Sequence, residues 1–211
     1  EALHPGGNKY YKLKYNLAEA RRLGKSRLLS FGGAWSNHIH ALSLIGQTEM
    51  IETIGVIRGE RPPVLSATLQ EAESNGMKLH FISRQDYRSK TEQTLLAALR
   101  AEFGDFYLLP EGGTNEFGVL GACEIVGELR KVQASFDKII LPVATGGTLA
   151  GVARSLKDGE SVTGICVLKG GARVQSDTEQ SVCQLINPIH ETPQRVRPNW
   201  SIDHRFHCGG Y

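Results

Sequence analysis

A chain of 211 residues, 40% hydrophobic and 22% charged, is long enough to bury one substantial core or two smaller ones and too apolar to stay disordered. Its net charge of +2 arises from basic residues scattered along the chain, a pattern that argues against a nucleic-acid or membrane-surface patch, and no apolar run is long enough to span a bilayer. Four widely separated cysteines, Cys123, Cys166, Cys183 and Cys208, lack the paired spacing of a zinc site or a disulfide framework, so no metal is expected and a reducing, cytoplasmic setting is.

Taken in chain order, strand-type and helix-type segments alternate. Short β-branched, leucine-rich or aromatic runs predict buried strands at 26–31, 54–57, 78–82, 105–109, 138–141 and 162–168. Between them, helical spacing of Leu, Ala and Glu predicts helices over 15–23, 37–46, 63–75, 91–103, 116–132 and 148–156. Pro62 and Pro63 suit a helix start, and Gly24, Gly76 and Gly104 stand where helix ends favour a residue tolerant of positive φ. The alternation predicts parallel βαβ units in an open α/β sheet. From 170 onward the pattern decays into sequence rich in Gly, Pro, Asn and His, which reads as long loops. The chain begins at Glu1 without methionine and stops at Tyr211 directly after Gly209 and Gly210, so a piece of a longer protein is expected.

Three motifs carry candidate chemistry. In Gly6-Gly-Asn-Lys9, a turn feeds a helix on which Lys9 and Lys12 share a face. A lysine is ordinarily a solvated surface charge, and becomes a nucleophile only when burial or a neighbouring cation lowers its pKa. In Ser30-Phe-Gly-Gly-Ala-Trp-Ser-Asn-His38, a strand runs into glycine and then into small polar residues. Either Ser36 or Asn37 simply caps the next helix, or Ser36, Asn37 and His38 line an anion pocket together with bare N–H groups. In Thr145-Gly-Gly-Thr148, a strand enters a helix through glycine. That turn is either plain punctuation or a cradle for a monophosphate, since the spaced third glycine of a dinucleotide fingerprint and the Lys-Ser/Thr pair of a P-loop are both absent.

The three motifs in this order are more specific than any one of them. Together they resemble the fold type II pyridoxal-phosphate enzymes, a tryptophan synthase β-like fold, and within them the D-cysteine desulfhydrase and 1-aminocyclopropane-1-carboxylate deaminase family. The resemblance implies two α/β domains with open, mostly parallel twisted sheets: residues 1–11 plus 111–211 as the larger, cofactor-binding domain and 12–110 as the smaller one, with the cofactor between them. It also implies pyridoxal 5'-phosphate as cofactor, a homodimer, and a small amino acid as substrate. Lys9 matches the residue that holds the cofactor covalently, and Asn37 the one beside its ring. Ser36 matches a catalytic residue near the substrate carboxylate, with His38 next to it in the substrate pocket. Thr145, Gly146, Gly147 and Thr148 match the phosphate loop, and Tyr211 matches a pocket tyrosine. Pro110-Glu-Gly-Gly-Thr-Asn115, with Gly118 and Gly121, resembles the return crossing between the domains. Ala34 and Trp35 replace the Ile-Gln pair familiar from the deaminases. The family's partner for the pyridine nitrogen and a catalytic tyrosine come from sequence beyond Tyr211.

The reaction so implied is that of a lyase or deaminase. One form is α,β-elimination from D-cysteine, giving a 2-oxo acid, ammonia and hydrogen sulfide. The other is opening of the cyclopropane ring to give 2-oxobutyrate. A homologue that binds the cofactor without turnover is the alternative, and a nucleotide-binding α/β protein stands further off.

Overall fold

The computed structural model describes residues 7–133, 135–168, 171–186 and 199–206. The chain divides into two units, Glu1–Gly113 and Thr114–Tyr211.

The first unit contains helices α1 (Gly7–Arg22), α2 (Asn37–Glu49), α3 (Ala67–Ser74), α4 (Arg84–Arg88) and α5 (Gln93–Phe103). They surround strands β1 (Arg27–Gly32), β2 (Glu52–Arg58), β3 (Lys78–Ile82) and β4 (Tyr107–Leu109). The strands form one sheet in the order β3-β2-β1-β4, and every pairing is parallel, with Leu28 opposite both Thr53 and Tyr107. Parallel pairing follows from the connections, because each strand is followed by a helix that carries the chain back across the sheet.

Strand side chains alternate between two cores. Leu28 and Ile57 face α1, α2 and α3 and pack with Leu13, Leu17, Ile39, Leu42 and Leu69. Leu29, Phe31, Ile54 and Val56 face the other way, onto Tyr87, Leu96, Leu99 and Phe106. Period two places Ser30 on the Leu28 side, so its hydroxyl stands among mostly apolar neighbours.

The second unit opens with a one-turn 3-10 helix at its border, Glu111–Gly113, and continues with α6 (Glu116–Val132), β5 (Lys138–Val143), α7 (Gly147–Arg154), β6 (Ser161–Cys166), α8 (Gly171–Ile186) and β7 (Trp200–Asp203). Its sheet runs β5-β6-β7, again all parallel. Val126, Val143, Leu149, Val152, Val162 and Val182 form its core. Gly151 lets α6 and α7 approach closely, because a methyl group there would collide with the Ala122 side chain and the Val119 carbonyl.

Three expectations need correction. The first helix starts at Gly7 rather than near 15, since burial of Lys12 and Leu13 extends it through a stretch whose Gly and Asn look like a turn. Pro62 and Pro63 lie upstream of α3, which starts instead from Ser66, whose hydroxyl accepts the Leu69 N–H at 3.3 Å. The stretch after 170 is not all loop: it holds α8 and β7, and Val182 and Ile186, four residues apart, bind α8 to the core. No helix among the described residues is long and apolar enough to cross a membrane.

Candidate active site

Helix α1 carries two lysines three positions apart, on one face. Lys12 is fully buried, and its amine is held well below the ordinary lysine range by burial first and by the nearby Lys9 charge second. Lys9 is partly buried, and loss of hydration lowers its pKa as well. Both shifts run toward the uncharged form, the one that attacks carbonyl carbon.

His38 completes this cluster from α2. It is only 3% exposed, and its pKa is pushed well below normal by burial, then by the charges of Lys12 and Lys9. Its Nε2 lies 2.8 Å from Ser30 Oγ, and the same hydroxyl lies 3.0 Å from the Leu109 carbonyl. A hydroxyl has one hydrogen. That hydrogen goes either to the Leu109 carbonyl or to His38 Nε2, according to which ring nitrogen carries the imidazole proton. Nδ1 is buried and has no hydrogen-bond partner among the described residues.

Gly113 closes the cluster at φ +63, where a Cβ would stand 3.3 Å from His38 Cε1 and 3.7 Å from both His38 Nδ1 and Lys12 Cβ.

The Ser36, Asn37 and His38 side chains do not converge. Ser36 is the N-cap of α2, its Oγ accepting the Ile39 N–H at 3.3 Å. Asn37 is exposed, and His38 turns inward to Ser30. Successive helical residues point about 100° apart, which separates the three. Gly32 is required beside them, because a Cβ there would lie 2.7 Å from Ser36 Oγ. Ser36→Ala is expected to cost about 1 kcal/mol through loss of the cap. Urea unfolding should show that loss for alanine and little of it for threonine.

In the second unit the Thr145–Thr148 turn joins β5 to α7. Gly146 is the N-cap of α7 at φ +81, with no side-chain cap, so the first turn of the helix presents backbone N–H groups that lack intrahelical acceptors. A Cβ on Gly146 would stand 2.6 Å from Val182 Cγ2, which leaves bare backbone as the only surface there. The Thr145 and Thr114 hydroxyls are 2.6 Å apart, and the Asn115 side chain accepts the Gly118 N–H at 2.9 Å to start α6. Tyr211 lies outside the described residues.

Sequence reading missed the part played by Ser30 and Gly113. The signal for Ser30 was a hydroxyl at an inward position of an apolar strand, and for Gly113 a pair of adjacent glycines directly after β4.

Residues 1–205 match the sequence model of the family described as "Pyridoxal-phosphate dependent enzyme". The chain is 28% identical over 162 residues to the mitochondrial bifunctional D-cysteine desulfhydrase/1-aminocyclopropane-1-carboxylate deaminase of Arabidopsis thaliana, covering 70% of this chain and 40% of that one. It is 26% identical over 164 residues to the D-cysteine desulfhydrase of Yersinia enterocolitica, covering 72% and 48%. Among solved structures, an ACC deaminase homologue superposes with a TM-score of 0.76 at 26% identity, covering 93% of this chain and 61% of that one. The chain spans about half the length of the curated relatives it matches.

Proposed function

Because the chain belongs to the pyridoxal-phosphate dependent enzymes, with pyridoxal 5'-phosphate as its cofactor, we propose that it serves the deamination of a small amino acid. The chemistry is elimination of the D-cysteine desulfhydrase kind in preference to opening of the 1-aminocyclopropane-1-carboxylate ring. The carrying observation is Lys9, a partly buried amine of lowered pKa on the same helix face as a second buried lysine.

The residues present fit the cofactor. An uncharged lysine amine suits its aldehyde, and the glycine turn at Gly146, where Val182 leaves no room for a side chain, suits a phosphate received by backbone N–H groups. When bound, the cofactor's ring withdraws electron density from the substrate Cα. Thr145, Gly146, Gly147 and Thr148 would hold the phosphate, Asn37 the ring, and Lys9 the aldehyde carbon.

With the cofactor in place, Lys9 would serve as the base for the Cα proton, a role suited to an amine whose pKa is lowered by desolvation. Ser36 receives the substrate carboxylate at the N-terminus of α2, where the helix dipole favours an anion. His38 and Tyr211 are assigned to substrate binding by the same reading. The division into 1–11 plus 111–211 and 12–110, cytoplasmic residence and a homodimer are parts of the same proposal. Light scattering and cell fractionation check the last two.

The test begins with the purified protein, pyridoxal phosphate and borohydride, followed by digestion and mass spectrometry. The expected label is on the peptide containing Lys9. D-Cysteine should then yield sulfide and pyruvate. No label at Lys9 sinks the cofactor assignment, whereas a label with no product from D-cysteine or from the cyclopropane amino acid sinks the deaminase assignment.

A further inference from the structure

Helices α6 and α7 start side by side in the second unit. The Thr114 and Thr145 hydroxyls meet at 2.6 Å just ahead of them. Further along, Gly151 packs against Val119 and Ala122, and beyond that Ser155 Oγ donates to the Cys123 carbonyl at 3.1 Å. Contacts that advance together along both chains mean that the two helices run in the same direction from the threonine pair.

Each threonine stands directly before the N-cap of its helix, Asn115 for α6 and Gly146 for α7, and the two caps differ. Asn115 closes its own helix, its side chain accepting the Gly118 N–H at 2.9 Å and its carbonyl the Val119 N–H at 2.9 Å. Gly146 has no side chain to do so, and α7 begins open. Both threonines are half-buried, and both are held by backbone: Thr114 by the capped start of α6, Thr145 by a glycine that Val182 keeps from moving inward. The hydroxyl pair is therefore a fixed joint between a closed helix start and an open one.

Two hydroxyls at this distance share one hydrogen, and either oxygen can be the donor. With Thr145 as donor, its hydrogen is spent and its lone pairs alone face other groups, which repels an anion. With Thr114 as donor, the Thr145 hydrogen is left to give. An anion, which only accepts, is served by the second arrangement.

We propose that Thr114 is a positioning residue for Thr145: its hydroxyl donates to Thr145 Oγ1 and so directs the Thr145 hydrogen to a phosphate ester received at the start of α7. A hydroxyl that accepts one hydrogen bond is also a stronger donor in the next. The inference rests on the assignment of the Thr145–Thr148 turn to the cofactor phosphate. It adds to that site a residue from a different helix, acting through its neighbour.

The probes are pyridoxamine 5'-phosphate and pyridoxamine, which differ only in the phosphate and carry no aldehyde, so neither calls on Lys9. Equilibrium dialysis against the full chain gives the ratio of the two affinities, and wild type should prefer the phosphorylated probe. Thr114→Val keeps the shape of the side chain and removes its hydroxyl. It should weaken binding of the phosphorylated probe by about 3–10-fold, the worth of one hydrogen bond, and leave the other unchanged. Thr114→Ser should restore the ratio. Thr145→Val should lose at least as much as Thr114→Val, and the double variant should lose no more than Thr145→Val alone. Thr114→Ala repeats the removal of the hydroxyl should valine disturb the start of α6.

A ratio unchanged in Thr114→Val and Thr114→Ala overturns the proposal. Equal losses for the two probes do so as well, since they mark damage to the fold, and so do losses that multiply in the double variant, since they mark a direct contact with the ligand. Wild type without preference for the phosphorylated probe removes the phosphate assignment and this role with it. A preference that survives loss of the Thr114 hydroxyl removes the role of Thr114 only.

Discussion

Lys9→Ala is expected to abolish covalent retention of pyridoxal phosphate, remove the visible-edge absorbance of the bound cofactor, and reduce any turnover by at least about 10²–10⁴-fold. The expectation rests on charge state. A lysine in water is protonated at neutral pH and cannot attack an aldehyde, whereas burial lowers the Lys9 pKa and so raises its neutral fraction above that of a solvated lysine. The sign can be checked on wild type. Condensation with the aldehyde should reach its plateau at a lower pH than condensation with a free lysine side chain, because the uncharged fraction is reached earlier. Adding a small primary amine to Lys9→Ala should return part of the lost rate, since the cavity left by the side chain admits the missing base. Lys12→Ala is the control, and it should retain the bond at Lys9. An unaltered cofactor spectrum in Lys9→Ala, or a spectrum lost only in Lys12→Ala, moves the chemistry to another amine.

The second large effect is structural as much as functional. Gly146→Ala should destabilise the protein by about 2–5 kcal/mol, read as a fall in the urea midpoint at constant slope. Two costs add. At φ +81 an L-residue is strained by about 1–2 kcal/mol, and the new methyl group would meet Val182 Cγ2 at 2.6 Å, an overpacking that costs about 1–3 kcal/mol more. Val182→Ala separates them, because it relieves the collision and leaves the strain. The double variant should be more stable than the two single losses predict by about 1–2 kcal/mol. Strict additivity would show that the Val182 contact is not the source. Affinity for pyridoxal phosphate should also fall in Gly146→Ala even where the fold persists, since relief of the Val182 collision shifts the backbone proposed to receive the phosphate.

Much of this architecture was legible where local chemistry and packing agree. Helix α6 was read to both ends because Asn115 caps it, Glu116 occupies its first turn, and Val119, Ala122 and Val126 repeat at helical spacing on a buried face. Strand β3 was read as well, although its residues are mostly half-buried, because Gly76 marks the end of the preceding helix. Helix α8 was hidden by the opposite combination. Gly170 and Gly171 look like a loop, and its contact with the core rests on few apolar residues, with Val182 buried under α7. Helix α4, with five residues, is too short for any period to show.

The site was legible in part and for a different reason. Glycines betray close backbone approach, so the turns at Gly32 and Gly146 stood out. The burial of Lys12 and the inward turn of His38 depend on which strand position faces which helix, and that register is fixed only when β1 pairs with both of its neighbours. Ser36 shows how two readings can share one atom: its Oγ is demonstrably a cap, and the pocket role assigned to it must be compatible with that bond.

The order in which the first unit's sheet is completed has a consequence for synthesis. Strand β1 finds one partner early, when the segment bearing Thr53 leaves the ribosome, but its other edge is closed only when the segment bearing Tyr107 emerges to meet Leu28. Until then a nascent chain carries an apolar strand with one row of amides and carbonyls open to strangers, the situation in which chains join edge to edge. Growth conditions that slow elongation across that interval, or deplete the factors that shield nascent chains, should therefore send this protein into inclusion bodies before its catalytic groups have ever met.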